Sequence, residues 1–338
     1  MSLTLVVPGL LDLSSAALTS IDAHVPALAR LIASAGHGAD EQDGLLASAC
    51  RACGIAKQHD WPVAPQLARA AGIDPADAYW LCAVPVSLAV GADDVRLASL
   101  VEDLSPDESG VLTSALNAHF ISDRIAFVAA KPGSWYVRAA QPQQLMTRPP
   151  EAALGAPLFD FLPSGPDSAR WRRWQSEVQM LLFEHAVNRG REREGRTLVN
   201  SVWLWGGGIE APRRASTPLF ARDALLVELA RGCGVECLPV PRQFDALSKN
   251  EAAVWFDPVR SEDAAQRLDA IDRRWMAPVE RALASGRLSA LELVVAGRAR
   301  TQRFMPRRSS LAQRWRSRMS PPRCSQLLAG AVAEPALP

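Results

Sequence analysis

No histidine follows His185, and only five occur in the whole 338-residue chain. A two-metal centre that draws on late histidines is therefore excluded, whatever the fold. Long apolar runs are missing too. None reaches the roughly 18 residues that cross a bilayer, and the apolar start at residues 3–11 has no basic residue before it, the first being Arg30. The reading is a chain with no signal peptide, no membrane helix and no membrane partner. Cysteine is sparse, with six residues and no regular framework, which predicts reduced thiols and a cytoplasmic protein. Cys50 and Cys53 form a CxxC and Cys233 and Cys237 a CxxxC. These four could hold zinc only if the fold brought the two pairs together; the simpler reading makes them small apolar residues on packed elements.

What is present suits a packed core. The chain is 48% hydrophobic, enough for one large α/β domain or two smaller ones. Its net charge of +1 is unevenly spread. Residues 293–338 hold nine arginines (Arg298, Arg300, Arg303, Arg307, Arg308, Arg314, Arg316, Arg318 and Arg323) against the single acid Glu334. Of 37 basic and 36 acidic residues, 28 and 35 remain in residues 1–292, a body of charge −7. This is a basic arm on an acidic body.

The order of elements points to α/β. Residues 3–8 are β-branched and run into a Gly turn, as a buried parallel strand does. Helical spacing follows at residues 24–35 and 43–53, and strand composition returns at 79–90. Ser105-Pro-Asp-Glu108 has the form of a capping box with proline at the first helical position, predicting a helix over 106–119. Residues 125–130 and 135–139 flank Lys131-Pro-Gly-Ser as a hairpin would, and the Pro- and Gly-rich stretch 141–167 reads as a long connection. Trp171, Trp174, Val178, Leu181 and His185 form one helical stripe that ends in an inward histidine. Residues 198–205 read as a central strand running into Gly206, Gly207 and Gly208, followed by a helix over 220–231 and a strand over 235–240. A last helix begins near Ser261 and bends at Pro278, with Asp269 and Asp272 on a solvated face, before a short strand at 291–295. The expected layout is a core of residues 1–90 and 186–297 with a mainly parallel sheet flanked by helices. Residues 91–185 form an α+β insertion and 298–338 a flexible arm.

The densest polar constellation is His185, Asn188, Arg189, Arg191, Asn200 and Gly206 to Gly208. Amides, guanidiniums and backbone N–H groups beyond a strand end suit a phosphate or carboxylate. The alternative is a helix terminus that attracts cations, followed by a glycine turn. His59-Asp60 could ligate a metal but has no companions nearby in sequence, and a solvated loop is the simpler reading. The arm, with Arg298, Arg300, Arg303, Arg307, Arg308, Arg314 and Arg316 interleaved with Phe304 and Trp315, has the character of a polyanion contact. Pairing with the acidic body is the favoured alternative, which leaves nucleic acid the least favoured partner.

The run His185-Ala-Val-Asn-Arg, Gly195, Asn200-Ser-Val-Trp-Leu-Trp-Gly-Gly-Gly208 and the helix Phe220 to Gly232 resembles archaeal-type cofactor-independent phosphoglycerate mutases. Pro26-Ala-Leu-Ala-Arg-Leu31, Gly72-Ile-Asp-Pro75 and Leu268-Asp-Ala-Ile-Asp272 agree with further landmarks in order. Closer still is the resemblance to RpfE-type bacterial regulatory proteins, carried by Trp80 to Leu88, Leu116 to Phe120, Glu177 to His185 and Asn200 to Gly208. The resemblance implies an alkaline-phosphatase-like scaffold, whose chemistry requires a Ser or Thr nucleophile and two divalent metals held by Asp and His.

The chain departs from that pattern at each position the resemblance assigns. Pro8-Gly9-Leu10-Leu11 stands in place of the motif PDGM, with Asp12 too far along; the nucleophile position falls on Val63; and Val294-Val-Ala-Gly-Arg298 replaces an acidic-histidine pair. The leading expectation is a mutase-like protein without metal, cofactor or catalysis, regulatory in role. It would bind a small phosphorylated or carboxylate ligand, or a protein partner, around His185 and the glycines. An active phosphotransferase using Asp12, His59, Asp60 or Asp257, and polyanion binding by the arm, are the competing readings.

Overall fold

The computed structural model describes residues 1–35, 39–41, 44–91, 94–131, 133–210, 217–247, 251–297, 300–308 and 319–329. The chain divides into two compact units, one of residues 1–53 and 215–338 and the other of 54–214.

The first unit is built on the strands β1 (Ser2–Pro8), β2 (Ala39–Glu41), β8 (Leu219–Phe220), β9 (Cys237–Leu238), β10 (Glu251–Trp255), β11 (Ala290–Ala296) and β12 (Thr301–Phe304). They lie in the order β2-β12-β11-β1-β10-β8-β9. The pairs from β11 through β9 are parallel, whereas β12 runs antiparallel to both β11 and β2. β1 is central, with Leu5 and Val7 at 0% exposure, which is why its sequence shows no polar face. Around the sheet lie α1 (Ser15–Ile21), α2 (Pro26–Ala35), α3 (Gly44–Ala52), α8 (Ala224–Cys233), α9 (Ala264–Ile271) and α10 (Ala277–Ala284). One π turn, Asp272–Met276, joins α9 to α10 just before Pro278, so the expected bend is absorbed by a widened turn.

Asp272 lies on that turn and is buried, not solvated. Its carboxylate accepts the N–H groups of Ala27 at 3.2 Å and Leu28 at 2.8 Å, at the start of α2. Those donors have no partner within the helix, so an acid from the far end of the chain acts as their cap.

The C-terminal region is also corrected in part. β12 pairs with β11, Phe304 is buried, and α11 (Cys324–Ala329) places Cys324 and Leu328 in the core. Ser325 binds the Asp22 carboxylate through its N–H at 2.9 Å and its hydroxyl at 2.5 Å. Apolar side chains at the ends of the arginine-rich stretch thus dock residues 301–304 and 324–329, contrary to a wholly flexible arm.

The second unit holds an antiparallel sheet in the order β4 (Val95–Leu100), β3 (Tyr79–Val90), β6 (Ser134–Ala139), β5 (Ile125–Lys131), with β7 (Ser201–Ile209) also paired to β3. α4 (Val63–Ala70) packs on β3 and β7, α5 (Pro106–His119) on β5, and α6 (Ser168–Phe183) on β7; α7 (Ala186–Arg193) follows α6. The sequence reading put residues 79–90 and 198–205 in the parallel core, with boundaries at 90 and 185. Here β3 and β7 pair with each other, Tyr79 opposite Ile209 and Val86 opposite Ser201. Both are rich in buried apolar residues, so their composition matches that of a parallel strand.

Candidate functional site

The polar block expected to hold an anion lies at the junction of α6, α7 and β7. His185 sits between the two helices and caps α7: its Nδ1 accepts the Val187 N–H at 3.2 Å. Burial, and then the charge of Arg189, lower the His185 pKa, which favours the neutral ring, the form that can accept this bond. Asn188 is buried; its Nδ2 donates to Leu182 O at 2.7 Å and Val199 O at 2.8 Å, and its Oδ1 accepts the Val199 N–H at 3.0 Å. Asn200 binds both backbone groups of Leu88. Arg189, exposed, donates to Glu184 O at 2.6 Å.

Arg191 is 1% exposed. Its Nε donates to Thr197 O at 2.7 Å, Nη1 to both Glu108 oxygens at 3.1 and 3.2 Å, and Nη2 to Asp103. Arg196 joins the same two carboxylates. Burial pushes the Asp103 and Glu108 carboxyls up, but hydrogen bonds, from Ser105 N–H to Glu108 and from the guanidiniums, outweigh it and leave both lowered. The guanidinium expected to meet a ligand therefore meets two acids of its own chain.

The glycines are also structural. Far from ending a strand, Gly206 to Gly208 lie within β7. A Cβ on Gly206 would stand 3.0 Å from Val63 Cβ, one on Gly207 2.1 Å from Tyr79 Oη, and one on Gly208 2.4 Å from Pro62 Cβ. The triplet lets α4 and Tyr79 close onto the strand. His185, Asn188 and Arg191 gather around α7, with Asn200 just before β7, while the glycines lie toward the far end of β7 against α4 and Tyr79; Asn188, Arg191, Asn200 and the glycines all serve contacts within the protein.

The positions assigned to mutase chemistry fare no better. Val63, which the resemblance places at the nucleophile position, is the first residue of α4 and 0% exposed. Gly9, where the resemblance implies the first acidic ligand, has φ +80°, and a Cβ there would lie 2.3 Å from Val259 O. The Val259 N–H is itself bonded to Pro8 O at 2.9 Å, so the obstructing backbone is anchored to β1. Asp12 and Asp257 belong to the first unit, His59 and Asp60 to the second. Asp257 lies 3.9 Å from Arg222 and 3.7 Å from Arg267, cations that disfavour a metal ion. Among the described residues, no three His, Cys, Asp or Glu side chains gather as metal donors. The described residues do not fit a two-metal centre.

One polar cluster that the sequence reading took for a solvated loop is built into the second unit. Asp60 is 5% exposed. It accepts the N–H of Trp61 at 2.8 Å, the N–H of Thr147 at 3.0 Å and the Thr147 hydroxyl, whose oxygen in turn accepts the Gly206 N–H at 2.8 Å. Burial pushes the Asp60 pKa up to about 6, against the pull of these donors. Gln58, His59, Asp60, Tyr79, Gln143 and Gly207 line an adjoining cleft of about 60 Å³. That volume admits water-sized guests, whereas ligand pockets run to several hundred Å³ (~300 or more). The expected signal was there in Asp60, but not its donor Thr147, which lies in the long connection.

Of the arm's candidates, Arg303 pairs with Glu292 and donates to Ser48 Oγ at 3.3 Å. Arg300 is half-buried, Arg307 and Arg308 are exposed, and Arg298, Arg314 and Arg316 lie outside the described residues.

No family model matches the chain. It is similar to 2,3-bisphosphoglycerate-independent phosphoglycerate mutases from Methanosarcina mazei, 26% identical over 186 residues covering 48% of this chain and 47% of the relative. The Methanosarcina acetivorans enzyme is 25% identical over 221 residues, 57% and 56% of the two chains. A probable enzyme of the same description from Geobacter sulfurreducens is 36% identical over 91 residues, 26% and 23%. The matched stretch thus spans about half the length of the first two relatives. Among solved structures, a cofactor-independent phosphoglycerate mutase from Thermoplasma acidophilum aligns with a TM-score of 0.42 at 15% identity, over 92% of this chain and 90% of that one. Over the described residues, no helix is long and apolar enough to cross a membrane.

Proposed function

We propose that this chain is a phosphoglycerate-mutase-like protein that has lost the two-metal phosphotransfer reaction and has a non-catalytic, regulatory role. The observation that carries the reading is Gly9. A missing acid could be an isolated substitution, but here the left-handed backbone and the Val259 carbonyl, 2.3 Å from where a Cβ would stand, leave no room for one. Val63, buried where a hydroxyl would be needed, supports the same conclusion. The similarity to phosphoglycerate mutases supports the ancestry, and the RpfE-type resemblance supports the regulatory role.

The effector of that role is a small phosphorylated or carboxylate acid, or a protein partner. Arg191 is already engaged by Glu108 and Asp103, so the cations that meet an anionic effector are more exposed ones such as Arg189. Metal analysis of the purified chain and assay of 3-phosphoglycerate conversion with added manganese test the loss of catalysis. Less than one equivalent of divalent metal and no turnover are expected. Two equivalents together with turnover would overturn the proposal. Calorimetry with 3-phosphoglycerate tests the ligand, and Arg191→Ala is expected to leave any affinity unchanged.

A further inference from the structure

Asp60 is a buried carboxylate whose hydrogen-bond donors are neutral: the N–H groups of Trp61 and Thr147 and the Thr147 hydroxyl. Among the described residues, no Lys, Arg or His side chain pairs with it. An ionised carboxylate taken out of water is costly unless a positive charge stands near it.

A second unsatisfied group lies in the same place. Tyr79 is 4% exposed, and its buried Oη has no hydrogen-bond partner. A Cβ on Gly207 would stand 2.1 Å from that oxygen, so the bare glycine makes the space in which the hydroxyl sits. Burial, and then the charges of Asp60 and Asp167, push the Tyr79 phenol up. The hydroxyl therefore stays protonated, near two negative charges, with its oxygen able to accept.

Both residues line the cleft of about 60 Å³, together with Gln58, His59, Gln143 and Gly207. Gln58 and His59 are exposed, so the cleft reaches the surface. Gln58 is held there by two hydrogen bonds to the backbone of Ile209, at 2.7 and 3.1 Å. The cleft has room for a few water-sized atoms. An anion would be repelled by Asp60. A divalent metal needs several oxygen or nitrogen donors, and no three acidic, histidine or cysteine side chains gather among the described residues. An apolar guest would leave both groups as they are. An ammonium group brings a positive charge and N–H donors together.

We propose that this cleft binds a small ammonium cation, the free ion or the head of a short primary amine, with Asp60 supplying the opposite charge and Tyr79 Oη accepting one of its N–H bonds. The site lies within the second unit, and it does not depend on the loss of catalysis or on an anionic effector.

The experiment compares thermal melts of the full chain at neutral pH in equal concentrations of sodium, potassium, ammonium, methylammonium and tetramethylammonium chloride. Ammonium is expected to raise Tm above the value in sodium. A rise in ammonium alone assigns the site to the free ion, and a rise in methylammonium as well extends it to the amine head. Potassium, close to ammonium in size but without N–H donors, and tetramethylammonium, which also has none, are expected to match sodium. Asp60→Asn should abolish the increment. Because that variant also loses stability of its own, Tyr79→Phe is the second test: it keeps the ring and removes only the oxygen. It should raise the ammonium concentration needed for half the effect roughly fivefold, the equivalent of one ordinary hydrogen bond. No increment over sodium overturns the proposal and leaves the cleft to water. An increment shared by potassium, or one undiminished in either variant, overturns it as well.

Discussion

Asn200 and Leu88 pair as two strand residues would: the Asn200 Oδ1 accepts the Leu88 N–H at 2.7 Å, and its Nδ2 donates to the Leu88 carbonyl at 2.8 Å. Asn117 does the same to Phe127, and Gln58 to Ile209. In this unit, side-chain amides complete backbone pairing where strands run out of neighbours.

Asn200→Ala leaves the Leu88 N–H and carbonyl without these partners. The expected cost is about 1–3 kcal/mol, read as a lower urea midpoint. Asn200→Asp should recover little of it, since a carboxylate accepts the N–H but repels the carbonyl. If Asn200→Ala matched the wild type in stability while abolishing binding of 3-phosphoglycerate, the residue would belong to a ligand site instead.

Arg191→Ala removes the shared cation from Asp103 and Glu108. Removal from a fully buried pair costs about 3–5 kcal/mol, but the Asp103 side chain is 55% exposed, which discounts the loss to roughly 2–3 kcal/mol. Both carboxyls are lowered in the folded state. Their contribution is therefore complete above the ordinary carboxylate range and lost as pH falls below it. Chemical denaturation across pH 2–7 should show this acid-side loss in the wild type and a flatter limb in Arg191→Ala.

Asp60 titrates with the opposite sign. Its folded pKa of about 6 lies above its unfolded value, so between roughly pH 4 and 6 the native state holds the extra proton and stability falls as pH rises. The slope contributed is at most about 1.4 kcal/mol per pH unit. Asp60→Asn should abolish it and also destabilise the unit by ~1–3 kcal/mol, because its NH₂ would face N–H donors where the carboxylate accepts. A wild-type minus Asp60→Asn stability difference that is flat over this window would refute the assignment.

Phe304→Ala should cost about 3–5 kcal/mol, as expected for a large side chain removed from a core. Phe304 is 3% exposed and belongs to the main cluster of the first unit. A flexible arm would tolerate the change, so an unaltered thermal midpoint would return residues 301–304 to that description.

Local patterns made much of the fold legible. The strand at 79–90 and the helix over 106–119, with its capping box, appear as their composition implies. The stripe of Trp171, Trp174 and Val178 is buried as its spacing requires. The polar site was not legible, because its partners are remote. Asn200 lies 112 residues from Leu88 and Arg191 83 from Glu108, so a sequence motif cannot tell an amide awaiting a ligand from one that completes a sheet.

By itself the sequence determined the types of most elements, the absence of any histidine after His185, and the Gly9 and Val63 side chains at the two positions that the resemblance assigns to an acid and a nucleophile. Side-chain identity settles these points, because a glycine cannot ligate a metal and a valine carries no hydroxyl. Only the tertiary structure decided that the Gly9 position is closed by Val259, that Arg191 answers Asp103 and Glu108, and that Asp60 accepts from Thr147. Each is a contact between residues far apart in the chain. Such contacts are set by which strands pair and which helices cover them, and short-range periodicity carries no record of that.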